Sequence, residues 1–132
     1  MKRKGFTLIE LLAVIVVLAI IALIATPIVM KLIKNANLGA AERSADNYLK
    51  AVETLIATEK LEGTPVADGE YTIDANGNLT FGDVQVTGTK PTGGTVKIEG
   101  GKVVKANTTI NYDKYIVTYS DGKAKATEKN WK

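Results

Sequence analysis

Apolar and polar positions divide the chain into three textures. From Phe6 to Met30 almost every residue is apolar, the exceptions being Thr7, Glu10, Thr26 and the backbone breaker Pro27. A helix over this run measures roughly 37 Å, against about 30 Å of bilayer hydrocarbon, so one membrane crossing is predicted. From Lys31 to Glu62 the pattern becomes periodic. Ala45, Leu49, Val52 and Ile56 fall on one helical stripe with Tyr48 and Leu55 beside it, while Glu42, Asp46, Lys50, Glu53 and Lys60 lie elsewhere. The spacing predicts an amphipathic continuation of the same helix, kinked at Pro27 and softened at Gly39, that ends near Gly63, Thr64 and Pro65.

Beyond Pro65 the texture is that of strands. Tyr71 to Asp74 and Leu79 to Phe81 flank Asn76-Gly77, which predicts a hairpin. Alternating runs follow at Thr95 to Glu99, Lys102 to Ile110, Tyr115 to Tyr119 and Lys123 to Thr127, separated by short Gly- and Asn-containing connections. The expected object is an antiparallel meander of about four strands with one apolar face, covered by the Leu49, Val52 and Ile56 stripe. The fold class is therefore α+β. A leader would occupy residues 1–5 and a membrane-crossing half-helix residues 6–30. The remaining 31–132 would form a globular head: helix 31–62, an αβ region 63–90 and an antiparallel sheet 91–132.

Charge sharpens the picture. The formal net charge of +3 matches the basic tip Lys2, Arg3 and Lys4; the other basic and acidic residues cancel. Basic residues stay on the cytoplasmic side of a span, so the N-terminus is expected inside and the head outside. Within the head, Glu62, Asp68, Glu70, Asp74 and Asp83 lie in a stretch free of Lys and Arg. From Lys90 to Lys132 lysines dominate over Glu99, Asp113, Asp121 and Glu128. The chain has neither cysteine nor histidine, so no disulfide staples the head and the commonest general base and metal ligand is missing. No nucleophile or base can be assigned, and neither enzymatic activity nor a cofactor is expected.

One residue stands out against this background. Glu10 lies deep in the apolar run, where an ionisable group costs about 2.5–3.5 kcal/mol and normally has a partner. The span itself offers none. If the chain were cut after Gly5, Phe6 would carry a free α-amino group one helical turn from Glu10. The amine could then neutralise Glu10 of its own helix or of an axially shifted neighbour.

The stretch Gly5-Phe6-Thr7-Leu8-Ile9-Glu10-Leu11-Leu12 resembles the type IV prepilins and their pseudopilin relatives, whose leader ends in glycine before the pattern F-T-L-I-E-L-L. The likeness is close from Lys2 to about Met30 and otherwise extends only to architecture. It implies the type IV pilin fold, leader cleavage at Gly5 by a prepilin peptidase, and N-methylation of Phe6 as the new N-terminus. It also implies docking and assembly through Glu10, with Pro27 matching the family's proline. The implied partners are further copies of the chain in a helical filament, minor pilins, and a membrane platform protein with its assembly ATPase. The subunit would wait as a single-pass protein of the cytoplasmic membrane and end in an extracellular pilus. Adhesion, twitching motility, aggregation and DNA uptake are functions such filaments serve. DNA and host surfaces stay open as partners. Ala19 stands where many relatives have glycine, and the disulfide common among them is ruled out. Disulfide-free pilins of this size resemble those of Gram-positive bacteria such as clostridia.

Plainer readings compete. A secretory signal peptide fits the basic tip, but the run is too long, Glu10 interrupts it and no A-x-A site follows. A signal-anchor on a monomeric binding module explains the span but leaves Gly5 and Glu10 without work. A pseudopilin of a secretion or DNA-uptake system shares every N-terminal feature. Asp74 to Asn78 begins like a calcium loop, yet Leu79 and Gln85 stand where glycine and glutamate belong, so a turn is expected and no metal is assigned. Asp68, Asp83 and Asp121 are the remaining carboxylates considered for calcium. Lys97, Lys102, Lys105, Lys114, Lys123, Lys125 and Lys129 read as a solvated strand face, as a DNA-binding face, or as a face that meets the acidic stretch of a neighbour. Tyr112, Tyr115 and Tyr119 read as sheet packing and Trp131 as a core cap.

Overall fold

The computed structural model describes Gly5 and residues 7–129. Expectations for Lys2, Arg3, Lys4, Phe6 and Trp131 lie outside the described residues. One helix, α1 (Leu8–Leu61), is followed by six strands: β1 (Gly69–Thr72), β2 (Gly93–Glu99), β3 (Lys102–Val103), β4 (Thr109–Asn111), β5 (Tyr115–Ser120) and β6 (Lys123–Glu128). A short 3-10 turn covers Lys105–Asn107. The chain divides into two compact units, Met1–Ala36 and Asn37–Lys132, so the second begins within α1.

Both predicted soft points, Pro27 and Gly39, lie inside α1. Proline has no N–H for the carbonyl of Leu23. One residue earlier, the Thr26 hydroxyl donates to the Ala22 carbonyl (2.6 Å). The helix stops where the sequence places its end. Gly63 adopts φ +86°, Gly63 N–H donates to the Lys60 carbonyl (3.2 Å) and Thr64 N–H to the Glu59 carbonyl (2.9 Å). This is a Schellman closure, and the left-handed residue it requires is glycine.

In the second unit the predicted stripe is the one that packs. Ala45, Tyr48, Leu49, Val52 and Ile56 are buried against Val96, Ile98, Ile110, Val117 and Ala126 of the sheet, with Ile73, Leu79 and Val84 closing one side. The long apolar helix on an antiparallel sheet is an α+β, type IV pilin-like arrangement. The strand order is β1-β2-β4-β5-β6, all antiparallel, with β3 attached to β2.

Two expectations are corrected here. Residues 71–74 and 79–81 do not form a hairpin: β1 pairs with β2 instead, Tyr71 opposite Val96 and Thr72 opposite Thr95. The Asn-Gly turn is real. Asp74 Oδ1 accepts the Asn76 and Asn78 N–H groups at 2.8 and 2.9 Å, and Asp74 N–H donates to the Asn78 carbonyl (3.0 Å). The chain then leaves strand geometry, because Asn78 Oδ1 takes the Val84 N–H (3.1 Å) and folds the next residues into a loop that buries Leu79 and Val84. Phe81 still meets Tyr71, edge to face at 5.0 Å. The sheet accordingly has six strands rather than four, and its β1 edge comes from the 63–90 region.

The run Lys102 to Ile110, expected as one strand, is the second correction: it divides into β3, the 3-10 turn and β4. Glu42 and Asp46 lie off the buried stripe, as expected, and border it. Asp46 Oδ1 accepts the Tyr119 hydroxyl (2.8 Å) and Glu42 Oε2 the Ala126 N–H (3.0 Å), so two carboxylates tie the helix to β5 and β6. Because β6 ends the sheet, the Ala126 N–H points away from β5, and Glu42 supplies the partner a next strand would have given.

Three tyrosines fill the space between helix and sheet. Tyr48 hydroxyl donates to the Gly77 carbonyl (2.8 Å), and Tyr112 and Tyr119 are core residues. Burial is the leading cause that pushes all three phenols well above their usual range; Asp74 adds to the effect at Tyr48 and Asp46 at Tyr112 and Tyr119. A phenol whose folded pKa is raised stabilises the fold fully below its unfolded value of about 10 and loses that contribution as pH climbs above it. The head is therefore expected to unfold on alkaline titration above about pH 10. Circular dichroism should change together with the phenolate absorbance that Tyr48, Tyr112 and Tyr119 contribute, which lags the ordinary tyrosine curve.

Candidate functional site

Among the described residues the first unit has no buried core of its own. Its large apolar residues from Leu8 to Ile33 are all exposed, from 47% at Val29 to 85% at Leu8, and they surround the helix. Covering such a side chain is worth about 1.5–3 kcal/mol, so a helix of this kind demands lipid or other helices around it. It is long and apolar enough to cross a membrane.

Glu10 sits in the first turn of that helix. Its own N–H donates to Thr7 Oγ1 (3.1 Å), and Thr7 N–H donates to Glu10 Oε2 (3.4 Å). The first intrahelical bond runs from Leu11 N–H to the Thr7 carbonyl (3.0 Å). Thr7 is thus the N-cap and Glu10 the third helical residue of a reciprocal capping box. Glu10 therefore has a hydrogen-bond partner inside the span, though not a countercharge among the described residues. The T-x-x-E spacing ahead of an apolar run is itself the sequence signal for such a box. The positive end of the helix dipole favours a carboxylate at this position as well. Gly5 lies outside the helix and is exposed, with open space where a Cβ would stand. Of the residues singled out in the sequence, Gly5 and Glu10 come near one another along the chain, while Pro27 lies farther along α1.

In the second unit the candidate chemistry is dispersed. Among the described residues no group of three or more His, Cys, Asp and Glu side chains is arranged to hold a metal. Asp68 accepts the Gly100 N–H (2.9 Å) beside β1, Asp83 lies in the loop after Leu79, and Asp121 turns between β5 and β6. The structure does not bring them together. A cleft of about 370 Å³ between α1 and the β4–β5 connection is lined by Asn37, Ser44, Thr89, Asp113, Lys114 and Tyr115, among others. The lysines are equally scattered. Lys97 pairs with Glu99 (3.6 Å), Lys105 lies 5.7 Å from the Tyr119 ring centre, and Lys123 and Lys125 stand exposed on β6.

Outward-facing positions of the sheet align instead in a row across five strands, Thr72, Thr95, Thr109, Thr118 and Lys125. Strand register creates this row from residues far apart in sequence, and no local pattern announces it.

No curated protein and no solved structure matches the chain. Residues 1–26 match the family model described as the prokaryotic N-terminal methylation motif. The match covers Gly5, Thr7 and Glu10 together with most of the exposed apolar helix, and it supports a leader of the type IV prepilin kind at the head of the chain.

Proposed function

We propose that this chain is the precursor of a type IV pilin, a structural subunit that polymerises into an extracellular filament serving adhesion, twitching motility or a related surface task. The observation that carries this is a helix from Leu8 to Ile33, apolar and exposed on every side, with a single carboxylate in its first turn and a methylation motif over it. Before assembly, lipid covers the helix; afterwards, the helices of other copies do. A prepilin peptidase cuts between Gly5 and Phe6, and the Phe6 amine is methylated. Glu10 meets that amine, in its own chain or a neighbour's, and sets the axial register of the subunits. Pro27, at the family's proline position, kinks the apolar half of the rod. A platform protein and an assembly ATPase in the cytoplasmic membrane move the subunit outward. The work is mechanical, not catalytic.

The test is the intact mass and N-terminal sequence of protein sheared from cells that make it. A chain beginning at Phe6, one methyl group heavier than the sequence mass and abundant in the sheared fibres, supports the proposal. A chain that begins at Phe6 but stays with the cell body, without long fibres, transfers the same chemistry to a pseudopilin. A chain that begins at Met1 or beyond Ala25 refutes processing and filament together.

A further inference from the structure

Acidic side chains gather at one edge of the sheet and two exposed lysines stand at the other, beside Glu128 and the Asp121 turn. Asp68 and Glu70 sit at β1, and Asp83 on the loop that follows it, within a stretch of the sequence that has no Lys or Arg between Leu61 and Thr89. Lys97 faces Glu70 across the strand pair, but its ammonium group is 3.6 Å from Glu99. At the far edge, Lys123 and Lys125 project from β6 on the face away from the helix. Their cross-strand partners on β5 are Ser120 and Thr118 rather than carboxylates. Between the edges the row of threonines carries no charge.

We infer that the β1 edge of one head lies against the β6 edge of the next, Lys123 and Lys125 meeting Asp68, Glu70 and Asp83 of a second copy of this chain. The inference rests on the filament proposal and adds to it the surfaces by which heads recognise one another. Two different patches of one molecule make a heterologous contact, and repetition of such a contact generates an open helix wherever its rotation does not close into a ring. Complementary edges also fix which neighbour is accepted, since juxtaposing two basic or two acidic edges is repulsive. The capped Ala126 N–H keeps the contact one between side chains, because Glu42 already occupies the position a joining strand would need.

Zero-length carbodiimide cross-linking of sheared wild-type filaments, read by peptide mass spectrometry, tests the contact. Three strands separate β1 from β6. At about 4.8 Å per step the edges of one head are roughly 19 Å apart, too far for a direct amide, so such a link joins two copies. The expected result is an amide between Lys123 or Lys125 and Asp68, Glu70 or Asp83. In parallel, K123E/K125E should lower filament yield about tenfold, and adding E70K/D83K should restore it to within about threefold of wild type. Rescue also shows that the reversed chain folds. Normal wild-type filaments whose cross-links all lie elsewhere overturn the edge contact and leave the pilin proposal standing. Failure of wild-type cells to form any filament overturns both.

Discussion

Replacing Glu10 with leucine is expected to reduce filament yield at least about tenfold while leaving the chain in the membrane. In the proposed filament the Phe6 amine is buried among apolar helices with Glu10 as its counter-ion. Removing one member of such a pair leaves an uncompensated charge, which costs about 3–5 kcal/mol. Leucine also removes the acceptor for the Thr7 N–H, and a lost cap costs about 1 kcal/mol. The two contributions separate with glutamine, which still accepts the Thr7 N–H but carries no charge. If E10Q assembles as poorly as E10L, the carboxylate works as a counter-ion. If E10Q assembles normally, the capping box is its whole role and the proposed docking is wrong. Filament mass recovered by shearing, normalised to membrane-held subunit, is the quantity to compare.

Gly94→Ala should cost the head about 3–5 kcal/mol, a large share of the 5–15 kcal/mol that holds a typical domain together. Gly94 adopts φ +116°, which side-chain-bearing residues rarely tolerate, and a Cβ there would press into the Thr109 carbonyl across the β2–β4 pair. Backbone strain contributes about 1–3 kcal/mol and the forced separation of the strands a similar amount. Gly100→Ala is the control. Its φ is also positive, at +60°, but open space surrounds it, so the loss there should be about 1 kcal/mol. Thermal unfolding of the full-length chain in detergent, followed by circular dichroism of the head, distinguishes the two. Equal shifts for both variants would show that close approach to Thr109 is unimportant.

The two variants probe parts of the protein that were unequally legible in the sequence. Glu10 was conspicuous because a lone carboxylate in an apolar run violates the composition around it. Its hydrogen-bond partner is legible too, in the T-x-x-E spacing, because the first turn of every helix leaves backbone N–H groups unpaired. Gly94 gave no such sign. The expected strand begins at Thr95, whereas Gly93 and Gly94 are the first residues of β2, and only the approach of β4 makes the second one indispensable. Similarly, Asn76-Gly77 announced a turn correctly. The hairpin expected from it failed because the Asn78 side chain and the Val84 N–H closed a loop before a second strand could pair.

By itself the sequence determined whatever depends on period and composition: the apolar span, its single carboxylate, the amphipathic stripe from Ala45 to Ile56, the glycine-closed helix end and the α+β class. These follow from residues within a few positions of each other, where helical geometry converts spacing directly into a face. The tertiary structure alone decided which strands are neighbours, that Glu42 and Asp46 hold β6 and β5, and that four distant threonines form one row. It also set the acidic stretch and the β6 lysines on opposite edges of the sheet. Those are properties of pairing and register between segments remote in sequence, and a shift of one residue in any strand would turn its side chains to the other face.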